Sequence, residues 1–105
     1  MIHKKTLKSV GDALIVNCQA SGSLGVQILV RGVGPTVVFE GLQDKGDTPF
    51  AINGKDFSNA SHGTDTAGGH YIFNPQGLAF IQLRLSAITS GSVEVTAVEC
   101  KANYS

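Results

Sequence analysis

His62, Asp65 and His70 fall within one short stretch and are the residues of this chain best placed to ligate a metal ion. Their spacing matches no zinc pattern, and no fourth ligand is evident. They read as polar loop residues and a strand-edge histidine, with no cofactor called for. Asp44-Lys45-Gly46-Asp47 carries two carboxylates. It lacks the alternating oxygen ligands and the closing glutamate of an EF-hand and reads as a turn. Gly32 and Gly34 make half of a dinucleotide fingerprint, but Pro35 stands where a helix would have to open. No serine sits in Gly-x-Ser-x-Gly. Cys18 and Cys100 read as small apolar residues, not as thiol nucleophiles. The chain has no tryptophan to serve as a sugar platform. Phe39, Phe50, Phe73 and Phe80 lie in strand patterns and are expected in the core. Phe57, alone in a polar stretch, either tucks back onto the body or meets a neighbour. No catalytic set emerges, and the expectation is binding or assembly, not catalysis.

The composition supports that direction. Eight basic and eight acidic residues cancel, whereas a nucleic-acid binder carries a basic excess to neutralise phosphates. Lys4, Lys5 and Lys8 make only a short basic start. No apolar run of signal-peptide length follows Met1, and no stretch approaches the roughly 18 apolar residues of a membrane helix. Manufacture in a cytoplasm is therefore expected, with two reduced thiols. Asn59-Ala60-Ser61 and Asn103-Tyr104-Ser105 match the glycosylation acceptor, which means little without secretion. A chain of 105 residues suits one domain.

The elements that must position these residues read as strands. Ile81, Leu83 and Leu85 alternate with Gln82, Arg84 and Ser86, the period of two of a strand with one wet face. Residues 92–97 alternate in the same way, and Thr89-Ser90-Gly91 lies between. The spacing predicts an antiparallel hairpin, with Val93 and Val95 facing the same core as Leu83 and Leu85. Residues 25–31 and 36–40 flank Gly32-Val33-Gly34-Pro35 and predict a second hairpin. Further strands are expected at 13–17, at 49–52 before the Asn53-Gly54 turn, at 70–73, and at 5–8 as an edge blunted by lysines. The sum is an all-β domain over residues 1–105, with about eight short antiparallel strands in a single jelly-roll-like β-sandwich. One long polar loop is expected over 55–69.

Three stretches resemble a known module. They are residues 25–32, then Thr36-Val37-Val38-Phe39-Glu40-Gly41 with Asp44-Lys45-Gly46, and the closing run 77–97. Together they resemble a β-sandwich module of tailed-bacteriophage virion proteins, over most of residues 24–97. The module usually has an aromatic residue, often tryptophan, soon after its Asp-Gly turn; Thr48-Pro49-Phe50 stands there instead. The resemblance implies a virion structural role and carries over no functional residues. A capsid decoration or cement protein that bridges capsid subunits is expected first. The alternatives are a tail, neck or fibre component, and a carbohydrate-binding or metal-binding module using His62, Asp65 and His70. The implied partners are the major capsid protein or other virion proteins and copies of the chain itself, as a dimer or trimer. Neither nucleic acid nor membrane is among them. Contacts are expected from the basic start 1–8, through Ile2, His3, Lys4 and Lys5, and from the polar loop, through Phe57, Asn59, His62 and Asp65.

Overall fold

A computed structural model describes residues 2–19, 21–44, 48–75 and 77–101, without the side chains of Ser21 and Lys101. The described residues form strands and turns, with no helix. Six strands make one sheet and five the other. The six-stranded sheet has β1 (Ile2–Leu7) at one edge, then β11 (Ser90–Lys101), β3 (Ser21–Val33), β9 (Gly69–Phe73), β6 (Gly54–Lys55) and β7 (Ser61–His62). The five-stranded sheet runs β2 (Ala13–Asn17), β10 (Phe80–Ala87), β4 (Thr36–Leu42) and β5 (Phe50–Ala51), with β8 (Thr64–Asp65) also paired to β4. Every pairing is antiparallel. The domain is a single β-sandwich, with eleven strands among the described residues because the segment expected as one loop contributes short strands of its own.

The two expected hairpins are not hairpins. β10 and β11 lie in opposite sheets, and so do β3 and β4. Val93 and Val95 do face the same core as Leu83 and Leu85, but across it. What the sequence presents as turns are corners. The trio β1–β11–β3 of one sheet continues as β2–β10–β4 of the other, so a three-stranded ribbon folds over at three neighbouring bends. Turn residues and period-two patterns cannot separate a reversal within a sheet from a corner between sheets. Both need glycine, and both leave the apolar side facing inward.

The corners are held backbone to backbone. Thr89 N donates to Val33 O at 2.9 Å, Gly11 N to Leu85 O at 2.8 Å, and Leu85 N to Asp12 O at 2.9 Å. Asp12 Oδ2 accepts from the amides of Lys8 and Ser9, each at 3.0 Å. Gly32 and Gly91 are directly opposed where β3 and β11 enter the bend. A Cβ built on Gly32 would lie 2.2 Å from the Ser90 carbonyl oxygen. Gly91 has φ 85°, a region that disfavours side chains.

Leu7, Val16, Leu24, Val37, Phe39, Phe73, Ile81, Leu83, Leu85, Val93 and Val95 fill the layer between the sheets. Phe39 meets Tyr71 and Phe73 edge-on at 5.0 and 5.1 Å between ring centres. The outer face of β10 departs from its expected wet character, because Gln82 is buried. Its amide donates to Glu40 Oε1 at 2.8 Å, and Arg84 grips the same carboxylate through Nε at 2.8 Å and Nη2 at 3.2 Å. The Arg84 guanidinium holds the Glu40 carboxyl below its ordinary range.

Gly32→Ala forces a methyl onto the Ser90 carbonyl. It is expected to cost about 2 kcal/mol and to lower the thermal midpoint by about 10 °C, read by circular dichroism. Glu40 is more acidic folded than unfolded, so its stabilisation is complete above the unfolded carboxylate value of about 4.3 and is lost as pH falls through the lower folded value. Glu40→Gln should therefore cost about 1 kcal/mol at neutral pH, and denaturant titrations should show that difference vanishing in acid.

Candidate functional site

The outer face of the six-stranded sheet carries the least expected chemistry. Register aligns Ile2, Val98, Gly25, Ile72 and Lys55 in one row across five strands. The neighbouring row holds Lys4, Thr96, Gln27 and His70. A sheet face exposed to water usually carries polar side chains. Here Ile2, Ile72 and Val98 are exposed, and so is Leu29. A cleft of about 390 Å³ opens on this face, lined among others by Gly25, Phe57, His70, Ile72, Val98 and Cys100.

Phe57 stands beside the cleft on a tight turn. The Asp56 carboxylate organises that turn: Oδ1 accepts from Ser58 N at 2.8 Å and Ala60 N at 3.0 Å, and Oδ2 pairs with His62 Nε2 at 2.7 Å. His62, then the Ala60 and Ser58 amides, hold the Asp56 carboxyl below its usual range. Asn59 takes φ 67°, which asparagine tolerates better than most residues. The Phe57 ring stacks on His70 at 5.6 Å and 22°, yet remains 75% exposed. It leans on the sheet without being buried by it.

Segment 55–69 is thus not the open loop expected. β6, the Asp56 turn, β7 and β8 tie it to both sheets, and a polar chain runs inward beneath it. The His62 ring meets Tyr71 edge-on at 5.4 Å. The Tyr71 hydroxyl donates to Asp65 Oδ1, and Asp65 Oδ2 accepts from Gly68 N at 2.8 Å. Burial, and then the Asp65 carboxylate, push the Tyr71 hydroxyl far above its ordinary range.

This geometry sorts the expected site residues. Ile2 and Phe57 lie on the cleft face, with Lys4 in the adjoining row, and Asn59 is exposed in the Phe57 turn. His3 pairs with Glu99 at 2.5 Å, and Lys5 Nζ donates to Ala13 O at 3.0 Å, so both tie the edge strand down. The edge strand expected at 5–8 runs over Ile2–Leu7. Asp65 is buried with both carboxylate oxygens occupied, so it is an internal acceptor and not a surface contact. His62 bonds Asp56, and His70 stacks on Phe57. The three candidate ligands therefore do not converge, and no cluster of His, Cys, Asp or Glu among the described residues could hold a metal. Cys18 is buried and Cys100 exposed, and both are free. Of the 44–47 turn, Asp44 is exposed while 45–47 lie outside the described residues, as do Met1 and Asn103-Tyr104-Ser105. Sequence reasoning missed Gly25, Ile72 and Val98. Val98 carried a signal, since it continues the polar phase of Glu94 and Thr96 with an apolar residue; in the run 70–73 every residue favours a strand, so no phase was visible.

The Asp56 turn can be followed in solution. The amide shifts of Ser58 and Ala60 are expected to titrate together, with a midpoint below the ordinary aspartate value of about 3.9; a midpoint at or above it contradicts this account of the turn. Asp56→Ala should abolish that titration and speed exchange of both amides while the core amides stay protected.

No family model matches the chain, and no curated protein matches it in sequence. Two solved structures match in fold. One is the SPBc2 prophage-derived protein YomS, 14% identical with a TM-score of 0.70, the match covering 92% of each chain. The other is the PBSX exported protein XepA, also 14% identical, with a TM-score of 0.74 over 92% of this chain and 37% of XepA. This chain is similar to YomS over nearly its whole length and to one part of the longer XepA, and at this identity the likeness is one of fold.

Proposed function

We propose that this chain is a bacteriophage structural protein that works by binding, not catalysis, and that it decorates or cements a capsid by bridging neighbouring subunits. The observation that carries the reading is the exposed apolar face of the six-stranded sheet, where Ile2, Phe57, Ile72 and Val98 are all left to water. Grouped exposed apolar residues of this kind mark interaction surfaces more often than bare solvent faces. The shared fold with two phage-derived proteins supports the setting. The proposed partners are the major capsid protein and further copies of the chain as a dimer or trimer. The proposed location is the virion, after manufacture in the host cytoplasm.

A second reading has one observation in its favour. The same fold occupies only 37% of XepA, as a module within a longer protein. That usage suits a tail, neck or fibre assembly, in which the sandwich joins parts instead of coating a shell.

Purified chain mixed with empty capsids and, separately, with tails of the phage that encodes it separates the two. Saturable cosedimentation with capsids is expected, weakened about tenfold by Phe57→Ser or Ile72→Ser with the thermal midpoint unchanged. Absence of capsid binding would sink the decoration reading, and binding to tails alone would establish the second.

A further inference from the structure

Gly25 sits in the middle of the cleft face with no conformational reason to be glycine. Its φ lies outside the left-handed region, and a Cβ built there meets nothing within 4 Å. The glycines at the corners differ: Gly34 and Gly91 have positive φ, and Gly32 would clash with backbone. Gly25 is a strand residue paired with Val98 on one side and Ile72 on the other. Glycine weakens a strand, and one in a strand interior often marks the place where a ligand or another chain approaches closely. Its missing side chain leaves a slot one residue wide. Val98 and Ile72 are its walls, the Phe57–His70 stack stands beside it, and Cys100 is also on the lining.

The surroundings of the slot have a sign. Among the described residues none that lines the cleft is acidic. Lys55 ends the Gly25 row, and Lys4 lies in the row beside it. Among the described residues neither lysine is within ion-pair distance of a carboxylate, although Glu94 lies close enough to Lys4 to feel its charge. Glu94, which feels Lys4, is bonded to Arg31 at 2.6 Å, and Asp56, next to Lys55 in the chain, is bonded to its turn and to His62. An apolar slot with no acidic lining among the described residues and a lysine toward either edge of its sheet face is complementary to an apolar side chain flanked by carboxylates.

We infer that Gly25 is a vacancy kept for a partner: the slot takes one aliphatic side chain from an acidic-flanked segment of another protein, with Lys4 and Lys55 meeting the flanking carboxylates. That the partner is a virion protein rests on the reading above; the slot and its chemistry do not.

Gly25→Val tests this without threatening the fold, because valine favours strands and the space above Gly25 is open. The full chain is titrated with the peptide acetyl-Glu-Glu-Leu-Glu-Glu-amide and followed by amide NMR. Shifts are expected at Gly25, Phe57, Ile72 and Val98, and are expected to vanish when glycine replaces the peptide's leucine. Gly25→Val should keep or raise the thermal midpoint while weakening peptide binding about tenfold or more, the loss expected for an unburied leucine. Lys55→Glu should also weaken it. No shift at these amides in the wild-type chain, or shifts that survive Gly25→Val, would overturn the inference. A concentration-dependent dimer that Gly25→Val abolishes would assign the slot to a second copy and overturn it too. The peptide contains no virion part, so success here with no capsid binding would count against the virion reading alone.

Discussion

The fold depends on one constraint: three strands must turn from one sheet into the other at the same place. Gly32 and Gly91 face each other there with no room for a side chain on Gly32, and the 88–89 bend is bonded to Val33. Because the bends are adjacent, the pairing order β1–β11–β3 is copied as β2–β10–β4. The copy sets which residues meet in the core. Ile81, Leu83 and Leu85 look across at Val93 and Val95, and the same strands present their other sides outward. A slip of one residue in any of these strands would exchange its core and solvent faces.

Once the ribbon is set, the two outer faces take different characters. On the five-stranded sheet Glu40 is shared between Gln82 and Arg84, with an exposed Ile15 in register beside Gln82. The six-stranded sheet leaves apolar residues unpaired, and β9, β6 and β7 extend it beyond the ribbon. Those added strands carry the turn that holds Phe57 up. Asp56 fixes the turn from outside, and the Tyr71–Asp65 contact fixes the layer beneath it. The exposed ring is therefore held in place by internal bonds, which lowers the ordering cost of a contact made through it.

Much of this was legible in the residues. Alternation identified the core side of β10 and β11, and the glycine and proline clusters marked the bends. The direction of the chain after each bend was not legible, because Gly34-Pro35 serves a corner as well as a hairpin. Segment 55–69 misled for a different reason. Its order comes from side-chain bonds of Asp56 and Asp65 and from two-residue strands, none of which produces a hydrophobic period. The contact candidates divided accordingly. Ile2 and Phe57 stand out as apolar residues in polar surroundings and are on the cleft face; Asp65 looked like a surface residue and is an internal one. Gly25 read only as the first residue of the expected strand 25–31, and only the pairing of β3 on both sides gives its emptiness a meaning.

The central claim is that the chain meets its partner through the outer face of the six-stranded sheet. Hydrogen–deuterium exchange of the chain bound to its virion assembly, compared with the free chain, tests this most directly. The account predicts added protection over residues 23–29, 54–60, 69–73 and 96–100, with β2, β10 and β4 unchanged. Protection confined to β2, β10 and β4 would place the partner on the opposite face and contradict it.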